Sequence, residues 1–212
     1  MTRFTAADLA ARFGRVEPSD VLTGDHVLNP SHATEFEGMA RREAAVLVPV
    51  IDRGANEATV LLTRRADHLR AHAGQIAFPG GGVEAGETVE EAALREAWEE
   101  VALERHHVQR VLGPLPRYAS GSGFLITPVV AIIDPAHRPV LQESEVAEAF
   151  EVPLGFLMTA ANHIVGMREW RGKPRRFYDM RYRDGTIERR IWGVTAGVIR
   201  VMYDRLYAEV PA

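Results

Sequence analysis

The chain predicts a mixed α/β (α+β) fold, from three observations: apolar runs of strand length, two longer segments with helical spacing, and the interleaving of the two kinds. Ala44–Ile51 and Thr59–Thr63 are rich in Val, Ile and Leu and flank the polar, Gly-containing 52–57, which predicts a hairpin with a long loop. Val89–Leu103 reads as the first main helix, because Thr88 and Glu91 have the spacing of a capping box, in which each side chain satisfies a backbone donor left orphaned at the helix start. Val108–Leu115, Phe124–Ile133 and Val146–Val152 read as further strands. The second of these is almost continuously apolar and is expected at the centre of the sheet. Arg175–Arg183 and Ile187–Trp192 flank Asp184-Gly185, a hairpin turn, and Val194–Tyr207 carries apolar residues at helical spacing. Ahead of all these, Ala6–Phe13 is a short amphipathic helix capped by Thr5, followed by a Pro-, Ser-, His- and Gly-containing stretch through Gly38.

With 212 residues, 46% of them apolar, and no repeat or Pro/Ser-rich linker, the expectation is one domain spanning 1–212, with 1–42 as an N-terminal extension and 44–206 as the core. There are no cysteines, which excludes disulfides and thiolate metal sites and leaves carboxylate, imidazole, carbonyl or water as metal ligands. Met1–Asp20 interrupts its apolar residues with Arg3, Asp8, Arg12 and Arg15, so it lacks the continuous run of a signal peptide or membrane span. A soluble, cytoplasmic protein with no membrane partner is expected. A net charge of -4 argues against nucleic acid as a partner, and any polyanionic ligand must meet a local basic patch.

The chemistry concentrates between Leu61 and Leu103. On the first main helix, Glu96, Glu99 and Glu100 project within roughly a third of a turn of one another. Like charges at these spacings repel by a few tenths of a kcal/mol per pair, a cost that a divalent cation converts into a binding site. The alternative for three such residues is a solvated acidic face. What precedes them decides against it: Phe78-Pro79-Gly80-Gly81-Gly82-Val83-Glu84-Ala85-Gly86-Glu87 is a glycine-rich stretch where backbone can approach a ligand closely. Upstream again, Arg64, Arg65, His68, Arg70 and His72 fall within nine residues, an abrupt basic excess in an acidic chain. Arginine grips phosphate oxygens bidentately, as lysine does not.

Taken together, Gly81, five residues, Glu87, seven residues and Arg95-Glu96-Ala97-Trp98-Glu99-Glu100-Val101-Ala102-Leu103 resemble the Nudix box, whose pattern is Gly, five, Glu, seven, Arg-Glu-aliphatic-any-Glu-Glu-any-Gly-aliphatic. Every fixed polar position matches. Ala102 stands where the family has Gly, a departure that bears on the helix end and takes away no ligand. The segment before the box, Leu61-Leu62-Thr63-Arg64-Arg65-Ala66, three residues, Arg70, three, Gly74, three, Phe78-Pro79-Gly80-Gly81, is similar to the signature that accompanies the box in coenzyme A pyrophosphatases. Ser120–Gly123 before Phe124–Val130, and Arg190–Ala196, are similar to that branch as well, so the resemblance covers roughly 44–206.

The resemblance implies a Nudix α/β/α sandwich around a central mixed sheet. It implies Mg²⁺, with Mn²⁺ as a substitute, held by Glu96, Glu99 and Glu100 with the Gly81 carbonyl as a further ligand, and Glu87 and Arg95 bracing the helix against the loop. Arg65 and Arg70 would grip phosphates. Glu143, Glu145 and Glu148 lie where such enzymes supply one more acidic residue, and Glu145 is the choice; Glu96 is the first candidate proton acceptor. The implied reaction is hydrolysis of the pyrophosphate of coenzyme A or its derivatives to 3′,5′-ADP and 4′-phosphopantetheine. Two alternatives stand beside it: hydrolysis of ADP-ribose, NADH or a nucleotide sugar, and a Nudix module that binds a nucleotide without cutting it. Many relatives self-associate, so the resemblance leaves a homodimer open without deciding the oligomeric state. The histidines show no metal-ligand spacing, and neither a Gly-any-Ser-any-Gly elbow nor a P-loop occurs.

Overall fold

The computed structural model describes residues 4–17, 19, 21–32, 40–170 and 172–208. Among them the elements run α1 (Ala6–Phe13), β1 (Thr23–Gly24), α2 (Asp25–Leu28), β2 (Arg42–Ile51), β3 (Thr59–Arg65), β4 (Ile76–Ala77), β5 (Gly80–Gly82) and α3 (Val89–Val101). There follow β6 (Val108–Pro114), β7 (Tyr118–Ala119), β8 (Phe124–Ile133), β9 (Val146–Pro153), α4 (Leu154–Leu157), β10 (Ile164–Trp170), β11 (Lys173–Asp184), β12 (Ile187–Trp192) and α5 (Val194–Leu206).

The centre is the parallel pair β2–β8, in register over ten residues from Arg42↔Phe124 to Ile51↔Ile133. The far edge of β8 takes β6 and β7, and the far edge of β2 is divided between β5 and the start of β3, all antiparallel. β3 in turn pairs with β9. The sheet is therefore mixed, and both faces are covered. Side chains alternate along each strand: Ala45, Leu47, Leu61, Val129, Ala131 and Ile133 pack on one face against Ala92, Ala93, Ala97 and Val101 of α3. Val48, Val50, Val60, Leu62, Val130 and Ile132 pack on the other against α5 and Leu9 of α1. The result is the expected α/β/α sandwich. Alanines on the inner face of α3 bring its backbone close to the sheet, which sets how far a glutamate on its flank reaches across β5.

The capping box at Thr88 is formed in both directions: Glu91 N–H donates to Thr88 Oγ1 at 3.2 Å and Thr88 N–H to Glu91 Oε2 at 2.9 Å. The helix ends two residues short of the expected Leu103, because Ala102 turns left-handed at φ 52°, ψ 39°. Its N–H bonds to Trp98 O at 2.9 Å, and Leu103 N–H reaches back to Ala97 O. This is the geometry that makes glycine the usual residue here. α1 is capped by Thr5 as read, and Arg12 lies 4.5 Å over the ring of Tyr207, so the extension packs on the end of α5.

Two parts of the reading change. The stretch 76–82, read as loop, contributes β4 and β5 to the central sheet; glycine-rich strands carry no alternation to announce them. The C-terminal hairpin is as read, but β10, which was not foreseen, joins it in a separate antiparallel sheet β10–β11–β12. Nearly all of β10 is exposed, so neither face imposes a period-2 pattern. Among the described residues, no helix is long and apolar enough to cross a membrane.

The left-handed turn at Ala102 yields a prediction. A left-handed residue with a Cβ costs about 1–2 kcal/mol, partly offset by the extra unfolded-state freedom of glycine, about 0.4–1 kcal/mol. Ala102→Gly should therefore stabilise the protein by about 0.5–1 kcal/mol, seen as a higher denaturant midpoint at unchanged slope. A lower midpoint would mean that the helix does not end in this conformation.

Candidate active site

The site is built where β5 meets α3. β5 lies flush against β2 in the register Ala45↔Gly81, and a Cβ on Gly80 would collide with the backbone of Ala45 and Val46. A Cβ on Gly81 would occupy the space that the Glu96 carboxylate fills. Two consecutive glycines are thus required by two different neighbours. One lets the strand join the sheet, and the other lets the helix lower a carboxylate onto the strand.

Arg95 fixes that arrangement. Its Nε and Nη2 donate to the two oxygens of Glu87 at 2.9 and 3.1 Å, Nη2 also donates to Gly82 O at 2.9 Å, and Nη1 donates to Glu96 at 2.9 Å and to Glu99 at 3.4 Å. One guanidinium therefore ties the loop before the helix, the end of β5 and two of the acidic side chains together, a pattern only a planar fork of donors can make. Glu87 is held below the usual carboxylate range by the Arg95 hydrogen bonds and by the Glu84 backbone. Glu91 belongs to the cap and not to Arg95.

Glu100 is buried, with 4% of its surface exposed. Burial pushes its carboxyl up to about 8, the like charges of Glu96 and Glu145 push in the same direction, and Arg65 and the Gly80 backbone N–H pull it down. Glu96 is also raised, first by desolvation and then by Glu99 and Glu145, against the pull of Arg95. At neutral pH Glu100 therefore holds its proton for most of the time, and a cation arriving beside it would have to displace that proton.

These interactions place Arg65, Glu96, Glu100 and Glu145 together, with Gly81 beneath Glu96. Glu145 arrives because Ala66 N–H donates to its carbonyl at 2.9 Å, joining the start of β9 to the end of β3. Glu99 lies further out, its side chain 46% exposed. Arg70 is exposed on the loop after β3 and is not among the charges that act on Glu96 or Glu100. Glu143 is exposed. Glu148 is committed elsewhere, gripped by Arg189 through both oxygens at 2.8 and 2.9 Å.

Two participants escaped the sequence reading. Gly80 contributes a backbone N–H to Glu100, and His68 Nε2 bonds Ser144 O at 3.1 Å, linking the Arg70 loop to the Glu145 loop. Both depend on the β3–β9 and β2–β5 pairings, for which the local sequence holds no signal.

The oxygen donors suit a hard divalent cation: carboxylates beside a glycine cradle that a Cβ would fill. The buried Arg65 Nε, which has no hydrogen-bond partner, is a cationic donor and suits an anionic oxygen instead. Among the described residues, no three carboxylate or imidazole side chains are gathered closely enough to ligate one ion together. Arg95 engages Glu96 and Glu99, and the Gly80 backbone N–H engages Glu100. A cation that keeps several waters needs only one or two of these carboxylates.

A pH dependence follows. Because the folded-state value of Glu100 lies above its unfolded value of 4.5, the stability from its bound proton is complete below about pH 4.5 and is lost as pH rises through about 8. The effect is on the order of a few kcal/mol. In chelator the melting temperature should fall across that window, Glu100→Gln should flatten the fall, and millimolar Mg²⁺ should restore most at the alkaline end. A pH-independent gain from Mg²⁺ would show that the ion binds away from this carboxylate.

Comparison with known proteins agrees with this geometry. Residues 41–170 match the family model described as NUDIX domain. The chain is 41% identical over 182 residues to a protein of Citrobacter koseri named "Uncharacterized Nudix hydrolase NudL", covering 85% of this chain and 90% of that one. It is 40% identical over 186 residues to a protein of the same name from Yersinia pestis, covering 87% and 85%. The solved Nudix hydrolase RenU of M. smegmatis is 29% identical with a TM-score of 0.46, over 55% of this chain and 73% of that one. By the family match and these relatives, the chain belongs to the Nudix hydrolases, pyrophosphohydrolases acting on nucleoside diphosphate derivatives.

Proposed function

We propose that this Nudix hydrolase cuts the pyrophosphate bond of coenzyme A or its derivatives, with Mg²⁺ as cofactor and Mn²⁺ as substitute, releasing 3′,5′-ADP and 4′-phosphopantetheine or its acyl form. The observation that carries the reading is the segment 61–81, whose Arg65 stands beside the acidic cluster with an unpartnered Nε. A Nudix box alone would fit many dinucleotides; the basic segment running directly into it supports this one.

In the proposed mechanism Glu96, Glu99 and Glu100 would hold the metal, with the Gly81 carbonyl as a further ligand. When bound, the cation supplies charge neutralisation on a phosphoryl oxygen and acidifies water in the site. Arg65 binds a phosphate oxygen through the donor that no protein group satisfies, and Arg70 closes on the diphosphate from the exposed loop. Glu96 accepts the proton of the attacking water, for which burial and its like-charged neighbours raise its affinity. Arg95 keeps that carboxylate oriented, and Glu145 adds charge from the neighbouring loop. The presence of Arg95, Glu96, Glu99 and Glu100 favours catalysis over a module that only binds nucleotides.

Glu96→Gln and Glu100→Gln should each lower kcat by about 100-fold or more with melting temperatures near or above that of the parent. If both kept near-parental turnover while Mg²⁺ remained essential, the assignment would fail. Steady-state comparison at equal Mg²⁺ should rank coenzyme A above ADP-ribose and NADH in kcat/KM; a higher value for either of the others would transfer the substrate assignment to it.

A further inference from the structure

β3 presents its last two arginines differently. Arg65 acts on Glu100, whereas Arg64 lines a cavity of about 460 Å³ together with Gln75, Glu148, Arg189, Arg190 and Trp192. The cavity lies between the approach to β4, strand β9 and strand β12, and its volume is in the usual range for a small-molecule pocket. Ala73, Gly74 and Gln75, at its rim, belong to the same loop as Arg70. The cavity therefore adjoins the active site through β3 and this loop.

Its hydrogen-bonding capacity is lopsided. Both oxygens of Glu148 accept from Arg189, which is only 6% exposed and is also held by Asp184, and Glu188 accepts from Arg181 at 2.7 Å. The acidic groups are thus satisfied. The donors are not: Arg64 uses Nη1 on Asp67, an exposed carboxylate, and Arg190 uses Nε and Nη2 on Asp179. Gln75 offers its Oε1 to His72. Arg64 Nε also lies 3.9 Å from Glu148 Oε2, and among the described residues Arg64 Nη2, Arg190 Nη1 and the Gln75 amide N–H groups have no hydrogen-bond acceptor. The Trp192 indole on the cavity wall is already packed by Arg168, Arg190 and Phe177. A cavity with spare charged donors and satisfied carboxylates selects a ligand rich in acceptors.

We propose that this cavity binds a phosphate monoester on the nucleoside half of the substrate through Arg64, Gln75 and Arg190. Its identification with the 3′-phosphate of coenzyme A rests on the function proposed above; the selectivity for a phosphorylated nucleoside does not. The device would separate coenzyme A from dinucleotides that share its pyrophosphate but lack that phosphate.

The test is binding first, with the full chain and no turnover. By calorimetry 3′,5′-ADP should bind at least about tenfold more tightly than 5′-AMP, the gain from one or two charge-assisted hydrogen bonds. Arg64→Gln and Gln75→Ala should each reduce that ratio. The kcat/KM ratio of coenzyme A to 3′-dephospho-coenzyme A should fall in parallel. Because each readout is a ratio within one variant, partial loss of fold does not imitate it. Equal binding of the two nucleotides by the parent, or a ratio unmoved in both variants, overturns the proposal. A preserved preference for 3′,5′-ADP in a protein that hydrolyses ADP-ribose and spares coenzyme A would sink the substrate reading and leave the cavity assignment standing.

Discussion

The descent of the Glu96 carboxylate onto the backbone of Gly81 is the contact on which the site depends. It requires a residue without a Cβ on β5, alanines on the inner face of α3 so that the helix lies close, and a cation to hold a carboxylate that burial would otherwise neutralise. Arg95 meets the last requirement in the protein alone, and it does so by spanning four groups from three segments. Glu87, Arg95, Glu96 and Glu99 are thus a single hydrogen-bonded unit, in which Glu87 orients Arg95 and Arg95 orients Glu96.

That unit stores electrostatic tension. Burial and the charges of Glu96 and Glu145 raise the proton affinity of Glu100, burial and the charges of Glu99 and Glu145 raise that of Glu96, and Arg65 offsets only part of the effect at Glu100. A buried carboxylate kept protonated near neutrality is a poor surface ornament and a good ligand in waiting, because a divalent cation recovers what desolvation costs.

The central sheet connects this chemistry to selectivity. The β3–β9 register shifts between Arg64 and Arg65, and a bulge re-aims side chains at the end of a strand, so these neighbours serve two adjoining places: Arg64 lines the cavity under the C-terminal hairpin and Arg65 acts on the acidic helix. The small β10–β12 sheet, which adds Arg189, Arg190 and Trp192 to that cavity, lies largely outside the region matched by the family model. Selectivity built there can change without disturbing the box.

The sequence by itself determined the elements whose signals are local. The Thr88–Glu91 cap, the alternating β2 and β8, the Asp184-Gly185 turn and the spacing from Gly81 to Glu100 are each written within a few residues, because helix periodicity, strand alternation and capping are short-range effects. Even the cost of Ala102 was visible as a departure from pattern. What only the tertiary structure decided is everything that depends on partners distant in the chain. That Glu145 and not Glu148 joins the cluster follows from Arg189 claiming Glu148 across 41 positions, and that Glycines 80 and 81 form a strand follows from β2 offering an unpaired edge. β10 gave no signal because solvent on both faces imposes no pattern. Pairings of that kind are won by global packing, and no window of sequence short enough to read contains both partners.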